Sequence, residues 1–123
     1  MTQVYKTYSL LPHNTFGIKA TADNFVEFSS VDDIMTFLGR GFNGRSLVIG
    51  GGSNLLFVND FSGTIFHFAI KGMEVVEEND KEILLRVGSG VNWDELVAYT
   101  VEQGWGGLEN LSAIPGEVGA SAV

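Results

Sequence analysis

The chain of 123 residues contains no cysteine, which removes both a disulfide framework and thiolate chemistry and suits a cytoplasmic setting. No run approaches the ~20 apolar residues that a membrane-spanning helix needs, so no membrane partner is expected. The stretch from Met1 to Asn14 has neither the basic start nor the apolar centre of a signal peptide. Basic residues are scarce: seven Lys and Arg stand against fifteen Asp and Glu, a formal net charge of −8. Those seven (Lys6, Lys19, Arg40, Arg45, Lys71, Lys81, Arg86) are scattered, which argues against nucleic acid as a partner. Neither His13 nor His67 has a second histidine, a cysteine or a carboxylate at ligand spacing, so no metal site is expected. Gly-Lys-Ser/Thr is absent too, which excludes a Walker A loop.

What remains is the composition of a globular protein, 45% apolar and 18% charged. It is long enough for one domain, or one and a piece of another. The most informative stretch runs from Val48 to Phe57. Two apolar runs, Leu47 to Ile49 and Leu55 to Val58, flank Gly50, Gly51, Gly52, Ser53 and Asn54, which reads as strand, tight loop, strand. Three glycines in a row let the backbone turn several N–H groups inward, and such a nest suits a phosphate or pyrophosphate. A Rossmann fingerprint would open into a helix, whereas here a strand is expected. On the loop alone, a phosphate nest and a glycine-rich hairpin that binds nothing both stay open. With so few basic residues, a pyrophosphate would be held mainly by backbone N–H groups.

Phe25 to Phe28 reads as a strand. Ser30 is an N-cap with Asp33 three residues on, and Val31, Ile34, Phe37 and Leu38 share a helical face that stops at Gly41. Joined to Leu47–Ile49, these make a βαβ unit and predict a small, mostly parallel sheet. Asn59 to Gly63 is a turn and Thr64 to Phe68 a strand. Met73 to Glu77 and Ile83 to Val87 alternate around an acidic turn, as an antiparallel hairpin does. Asn92 caps a helix with Glu95 at its third position. Trp93, Leu96, Val97 and Val101 line one face of it as far as Gly104.

A second glycine-rich segment runs from Gly106 to Val123, where Pro115-Gly116 makes a turn and Gly119, Ala120 and Ser121 leave room for a flat group. Six pieces then occur in order: Asn14-Thr15-Phe16; Gly50-Gly51-Gly52-Ser53-Asn54-Leu55-Leu56; Gly63-Thr64 with Ile70-Lys71-Gly72; Gly88-Ser89-Gly90 with Trp93; Gly107-Leu108-Glu109-Asn110-Leu111; and Ile114-Pro115-Gly116 with Val118-Gly119-Ala120-Ser121. In these the chain resembles the UDP-N-acetylenolpyruvoylglucosamine reductase family, flavoenzymes that complete UDP-N-acetylmuramic acid for bacterial peptidoglycan.

The resemblance implies an α+β fold of the vanillyl-alcohol oxidase and p-cresol methylhydroxylase type, in which two lobes grip FAD. It puts a first lobe at 1–68 and an incomplete second lobe at 69–123, with the substrate-binding domain outside this chain. It implies FAD contacts at Ile49, Gly50, Gly51, Gly52, Ser53, Asn54 and Leu55 for the pyrophosphate. Along the ribityl and flavin portion it implies Ile114, Pro115, Gly116, Val118, Gly119, Ala120 and Ser121. With no histidine between Leu47 and Val58, the flavin is expected to be held non-covalently. NADPH and a nucleotide-sugar substrate are the implied partners, in a bacterial cytoplasm. The family's serine acid, arginine and glutamate lie beyond the Ile-Pro-Gly segment. No catalytic residue is therefore expected here, and the chain reads as an N-terminal piece that is inactive alone and open to self-association through exposed strand edges. Two other readings remain: an FAD-linked alcohol or hydroxy-acid oxidase of the same fold, and a non-catalytic acidic α+β module.

Overall fold

The computed structural model describes residues 1–121; Ala122 and Val123, the end of the second glycine-rich segment, lie outside the described residues. The chain divides into two units, residues 1–70 and 71–123.

In the first unit, β1 (Gln3–Ser9), β2 (Thr21–Phe28), β3 (Ser46–Ile49) and β4 (Phe61–Phe68) form one sheet in the order β1-β2-β4-β3. β2 and β3 each run parallel to β4, and β1 lies antiparallel along the outer edge of β2. Thr64, Ile65, Phe66 and His67 are buried in succession on β4, the pattern of a central strand covered on both faces. One face carries Leu10, Ala20, Ala22, Phe25, Ile49 and Ile65. The other carries Val26, Phe28 and Phe66 beneath α1 (Val31–Gly39). Ala22 and Phe25 share a face despite their odd spacing because the register shifts between Ala22 and Asn24. Fully burying a side chain such as Phe25 or Phe28 contributes about 1.5–3 kcal/mol.

Ser30 caps α1 by accepting from the Asp33 N–H at 3.1 Å, worth about 1 kcal/mol. Ile34 and Phe37 pack on the sheet as expected, but Val31 and Leu38 are exposed. A nine-residue helix over a narrow sheet has only a narrow buried stripe.

Two readings of this unit are corrected, and one strand is added to them. Leu55–Val58 is not a strand; it is an irregular stretch in which Leu55 and Phe57 pack on the first core face while Leu56 and Val58 point outward. Its alternation reports alternate burial, which a covering loop shares with a strand, and β4 already occupies the place beside β3. The turn expected over Asn59–Gly63 ends sooner, because β4 begins at Phe61. β1 was not legible because nearly all its side chains are exposed, so an edge strand there leaves no pattern of burial.

In the second unit, β5 (Met73–Glu78) and β6 (Ile83–Val87) form the expected antiparallel hairpin. Its connection is closed by the Asn79 side-chain oxygen, which accepts from the Lys81 and Glu82 N–H groups at 2.8 and 3.0 Å. α2 (Trp93–Glu102) starts at Asn92, whose side chain accepts from the Asp94 and Glu95 N–H groups at 2.9 and 3.2 Å. It ends at Gly104, which takes φ +76. Leu96 and Val97 are buried as expected, but the third buried residue is Thr100 rather than Val101. Thr100 follows Leu96 by four residues and satisfies its hydroxyl on the Val97 carbonyl at 2.9 Å, so a polar residue completes the stripe.

Candidate functional site

β3 ends with Ile49 in the core and delivers the chain into the glycine loop. Gly52 is the pivot. It is buried with φ +71, and a Cβ there would lie 1.6 Å from the His13 carbonyl oxygen. The loop is therefore seated directly on the backbone of residues 13–15, which demands glycine twice over. Thr15 ties it down. Its N–H donates to the Gly52 carbonyl at 3.2 Å and its hydroxyl to the Ser53 carbonyl at 3.1 Å.

Those two ties orient the loop. In a trans peptide unit the N–H points opposite to the C=O. With the carbonyls of Gly52 and Ser53 turned toward Thr15, the N–H groups of Ser53 and Asn54 point away from it. Among the described residues, no protein acceptor takes an N–H from Gly51, Gly52, Ser53 or Asn54. Gly51 and Asn54 are exposed and Ser53 is half-buried, so this edge can meet an oxyanion. Ile49 and Leu55 differ, because their side chains belong to the first core face, and Ile49 is also paired with His67 on β4.

The support beneath the loop is Asn14, buried with every amide bond satisfied. Its Nδ2 donates to the carbonyls of Leu10 (2.8 Å) and Ile18 (3.0 Å), and its Oδ1 accepts from the Ile18 N–H (2.9 Å). Asn14-Thr15 was legible as part of a motif but not as the seat of the loop, because the contact joins residues 38 positions apart.

The histidines are also placed differently from expectation. Sheet register sets Glu27 beside His67, and His67 Nδ1 lies 2.8 Å from the Glu27 carboxylate. The His13 and His67 rings are 5.8 Å apart, and the Tyr8 hydroxyl is 3.0 Å from His13 Nε2. Sequence spacing cannot register a neighbour supplied across parallel strands. Among the described residues, no group of three or more His, Cys, Asp or Glu side chains is arranged to hold a metal ion.

The second glycine-rich segment is organised by the start of α2. Trp93 donates its indole N–H to the Leu111 carbonyl and its backbone N–H to the Gly116 carbonyl, both at 2.9 Å. The Asp94 carboxylate accepts from the Ser112 hydroxyl at 2.8 Å and from the Ala113 N–H at 2.7 Å. Those bonds hold its carboxyl below the usual range, the Ala113 N–H being the larger cause. Further on, the N–H groups of Val118, Gly119, Ala120 and Ser121 are all taken, by Val91, Ser89, Glu117 and Val118 carbonyls at 2.9 to 3.1 Å. Gly119 is needed because a Cβ there would meet the Ser89 Cβ at 2.8 Å. Ile114 and Pro115 stand exposed, Gly116 turns with φ +125, and Val118 helps line a groove with Leu85, Val87, Leu96 and Trp105.

Comparison with known proteins places the chain in a family. Residues 22–123 match the family of the FAD binding domain, and the chain belongs to that family. Within it, the chain matches the FAD-binding portion of UDP-N-acetylenolpyruvoylglucosamine reductase. It is 57% identical over 117 residues to the reductase of Bacteroides fragilis, a match covering 94% of this chain and 35% of that protein. The reductase of Porphyromonas gingivalis is 45% identical over 122 residues, covering 98% and 36%. The chain thus spans about a third of the length of the curated relatives it matches. The crystal structure of UDP-N-acetylenolpyruvylglucosamine reductase from Thermus caldophilus superposes with a TM-score of 0.72 at 23% identity, over 98% of this chain and 41% of that one. That likeness establishes the α+β FAD-binding fold. The residues present fit the cofactor, since a pyrophosphate needs unclaimed N–H donors, and among the described residues no protein acceptor takes those of residues 51–54.

Proposed function

We propose that this chain is the cofactor-holding part of an FAD-containing, NADPH-dependent reductase that converts UDP-N-acetylglucosamine enolpyruvate to UDP-N-acetylmuramate in the bacterial cytoplasm. The observation that carries this reading is the 57% identity over 117 residues to a reductase of that name.

FAD, when bound, supplies the relay that passes a hydride from NADPH to the enolpyruvyl double bond. The chain's own residues bind and orient. The N–H groups of Ser53 and Asn54 meet the pyrophosphate, and Gly50 and Gly51 let its oxygens come close. Thr15 and Asn14 keep those donors aimed, so little reorganisation is needed on binding. Ile114 and Pro115 offer apolar surface to the ribityl and flavin portion, with Gly116, Val118, Gly119, Ala120 and Ser121 beside them as small neighbours. We assign no proton donor for the substrate to residues 1–123.

The test has two arms. A visible spectrum of the purified chain after incubation with FAD and gel filtration should show flavin bands that co-elute with protein. In the whole protein, NADPH oxidation should depend on the enolpyruvyl nucleotide-sugar, while the 123-residue chain alone turns over nothing. Oxygen consumption with an alcohol substrate and no NADPH requirement would instead establish an oxidase of the same fold. A whole protein that takes up no flavin would overturn the reading.

A further inference from the structure

We propose that Asp94 is a positioning residue for the cofactor segment: its carboxylate holds the Ser112–Ala113 corner in a left-handed turn and so sets the path of Ile114, Pro115 and Gly116. The proposal rests on the FAD reading above and adds to it a residue that never touches the cofactor.

Ala113 is the starting point. It adopts φ +60, a conformation an L-residue with a Cβ takes only when its surroundings impose it. Burial does not impose it here. Residues 111–115 are all exposed, with Leu111 at 39% and Ile114 at 48%, so no core packing fixes their course. Hydrogen bonds do. One oxygen of Asp94, Oδ1, takes both the Ser112 hydroxyl (2.8 Å) and the Ala113 N–H (2.7 Å). Trp93 holds the two ends of the same span through the Leu111 and Gly116 carbonyls, each at 2.9 Å. Two adjacent residues in the first turn of α2 therefore grip the segment at four points.

The ordinary role for an acidic residue in a helix's first turn is to complement the helix dipole through its charge. That role needs no particular oxygen and no partner outside the helix. Asp94 instead spends Oδ1 on residues 18 and 19 positions away. Its work is geometric, and geometry distinguishes an acceptor at the right reach from a charge.

Three variants of the full protein separate the roles, read by the dissociation constant for FAD and by amide exchange of Ala113 without FAD. Asp94→Ala should speed Ala113 exchange and weaken FAD binding about tenfold, the scale of losing a hydrogen bond to a charged group. Asp94→Asn keeps an oxygen at the same reach and should recover most of both. Asp94→Glu keeps the charge but misplaces the oxygen, and should recover neither. Full recovery by Glu with none by Asn would establish the helix-charge role and overturn the proposal. So would faster Ala113 exchange with unchanged FAD affinity, or no change in either. Failure of the functional reading looks different: the unsubstituted protein then binds no FAD, while Ala113 exchange still responds to Asp94→Ala.

Discussion

In the 50–55 loop the carbonyls of Gly52 and Ser53 are tied to Thr15 and the N–H groups of Ser53 and Asn54 are left facing outward. Between residues 113 and 121 the N–H groups of Ala113, Val118, Gly119, Ala120 and Ser121 are tied, and so are the carbonyls of Gly116, Glu117 and Val118. Both segments are rich in glycine and small residues, and both carry a position that only glycine fills. The difference lies in whether the protein leaves backbone N–H groups unclaimed. A segment whose carbonyls are consumed presents donors and suits an anion. A segment whose donors are consumed presents apolar and edge surface, and suits an uncharged flat group.

This contrast breaks most sharply at Gly52. Gly52→Ala forces a Cβ onto the His13 carbonyl at a residue with φ +71. It should cost upward of about 2 kcal/mol in urea unfolding and abolish FAD binding. Gly51→Ala at the exposed neighbour should leave stability nearly unchanged. If the two variants unfold alike, the loop is not seated as described.

Asn14→Ala comes next. Removing the buried amide leaves the Leu10 and Ile18 carbonyls and the Ile18 N–H without a side-chain partner, a loss of about 2–3 kcal/mol measured by the same unfolding. Thr15→Val keeps the shape and the backbone tie but removes the hydroxyl bond to Ser53. It should lower stability by about 0.5–1.5 kcal/mol and raise the FAD off-rate more than it lowers the melting temperature. An unchanged off-rate would mean the N–H groups are not aimed from Thr15.

The smallest effect is one of pH and belongs to the second segment. The Asp94 carboxyl lies below its ordinary range because the Ala113 N–H and then the Ser112 hydroxyl stabilise its charged form. A depressed folded pKa makes a contribution that is complete above the unfolded pKa and is lost as pH falls through the folded one. Protection of the Ala113 amide should therefore be complete at neutral pH and fade, as pH falls, with a midpoint below that of an ordinary aspartate. A midpoint at or above that of an ordinary aspartate, followed by NMR, would mean the tie is not made in solution.

Local chemistry was readable along the chain wherever the deciding partner was near in sequence. Ser30 and Asn92 as caps, Gly104 as a helix end and the hairpin around Asn79 each depend on bonds within two to five residues. The glycine run and the Ile-Pro-Gly segment were legible as motifs for the same reason, and so was the family. Partners far apart in sequence were another matter. Gly52 on His13, Glu27 beside His67 and Asp94 under Ala113 each join residues that no periodicity links. The Leu55–Val58 stretch shows the limit from the other side: alternate burial was written in it, but whether that burial came from a ladder or from a covering loop depended on β4 taking the place beside β3.

By itself, then, the sequence determined the two helices with their caps, most of the strands, the glycine positions and membership in an FAD-binding family, because each rests on backbone preference or on a local pattern. Only the tertiary structure decided which peptide groups remain unclaimed. A backbone N–H can serve a ligand only if nothing in the fold has already taken it, and that depends on contacts made across the whole unit.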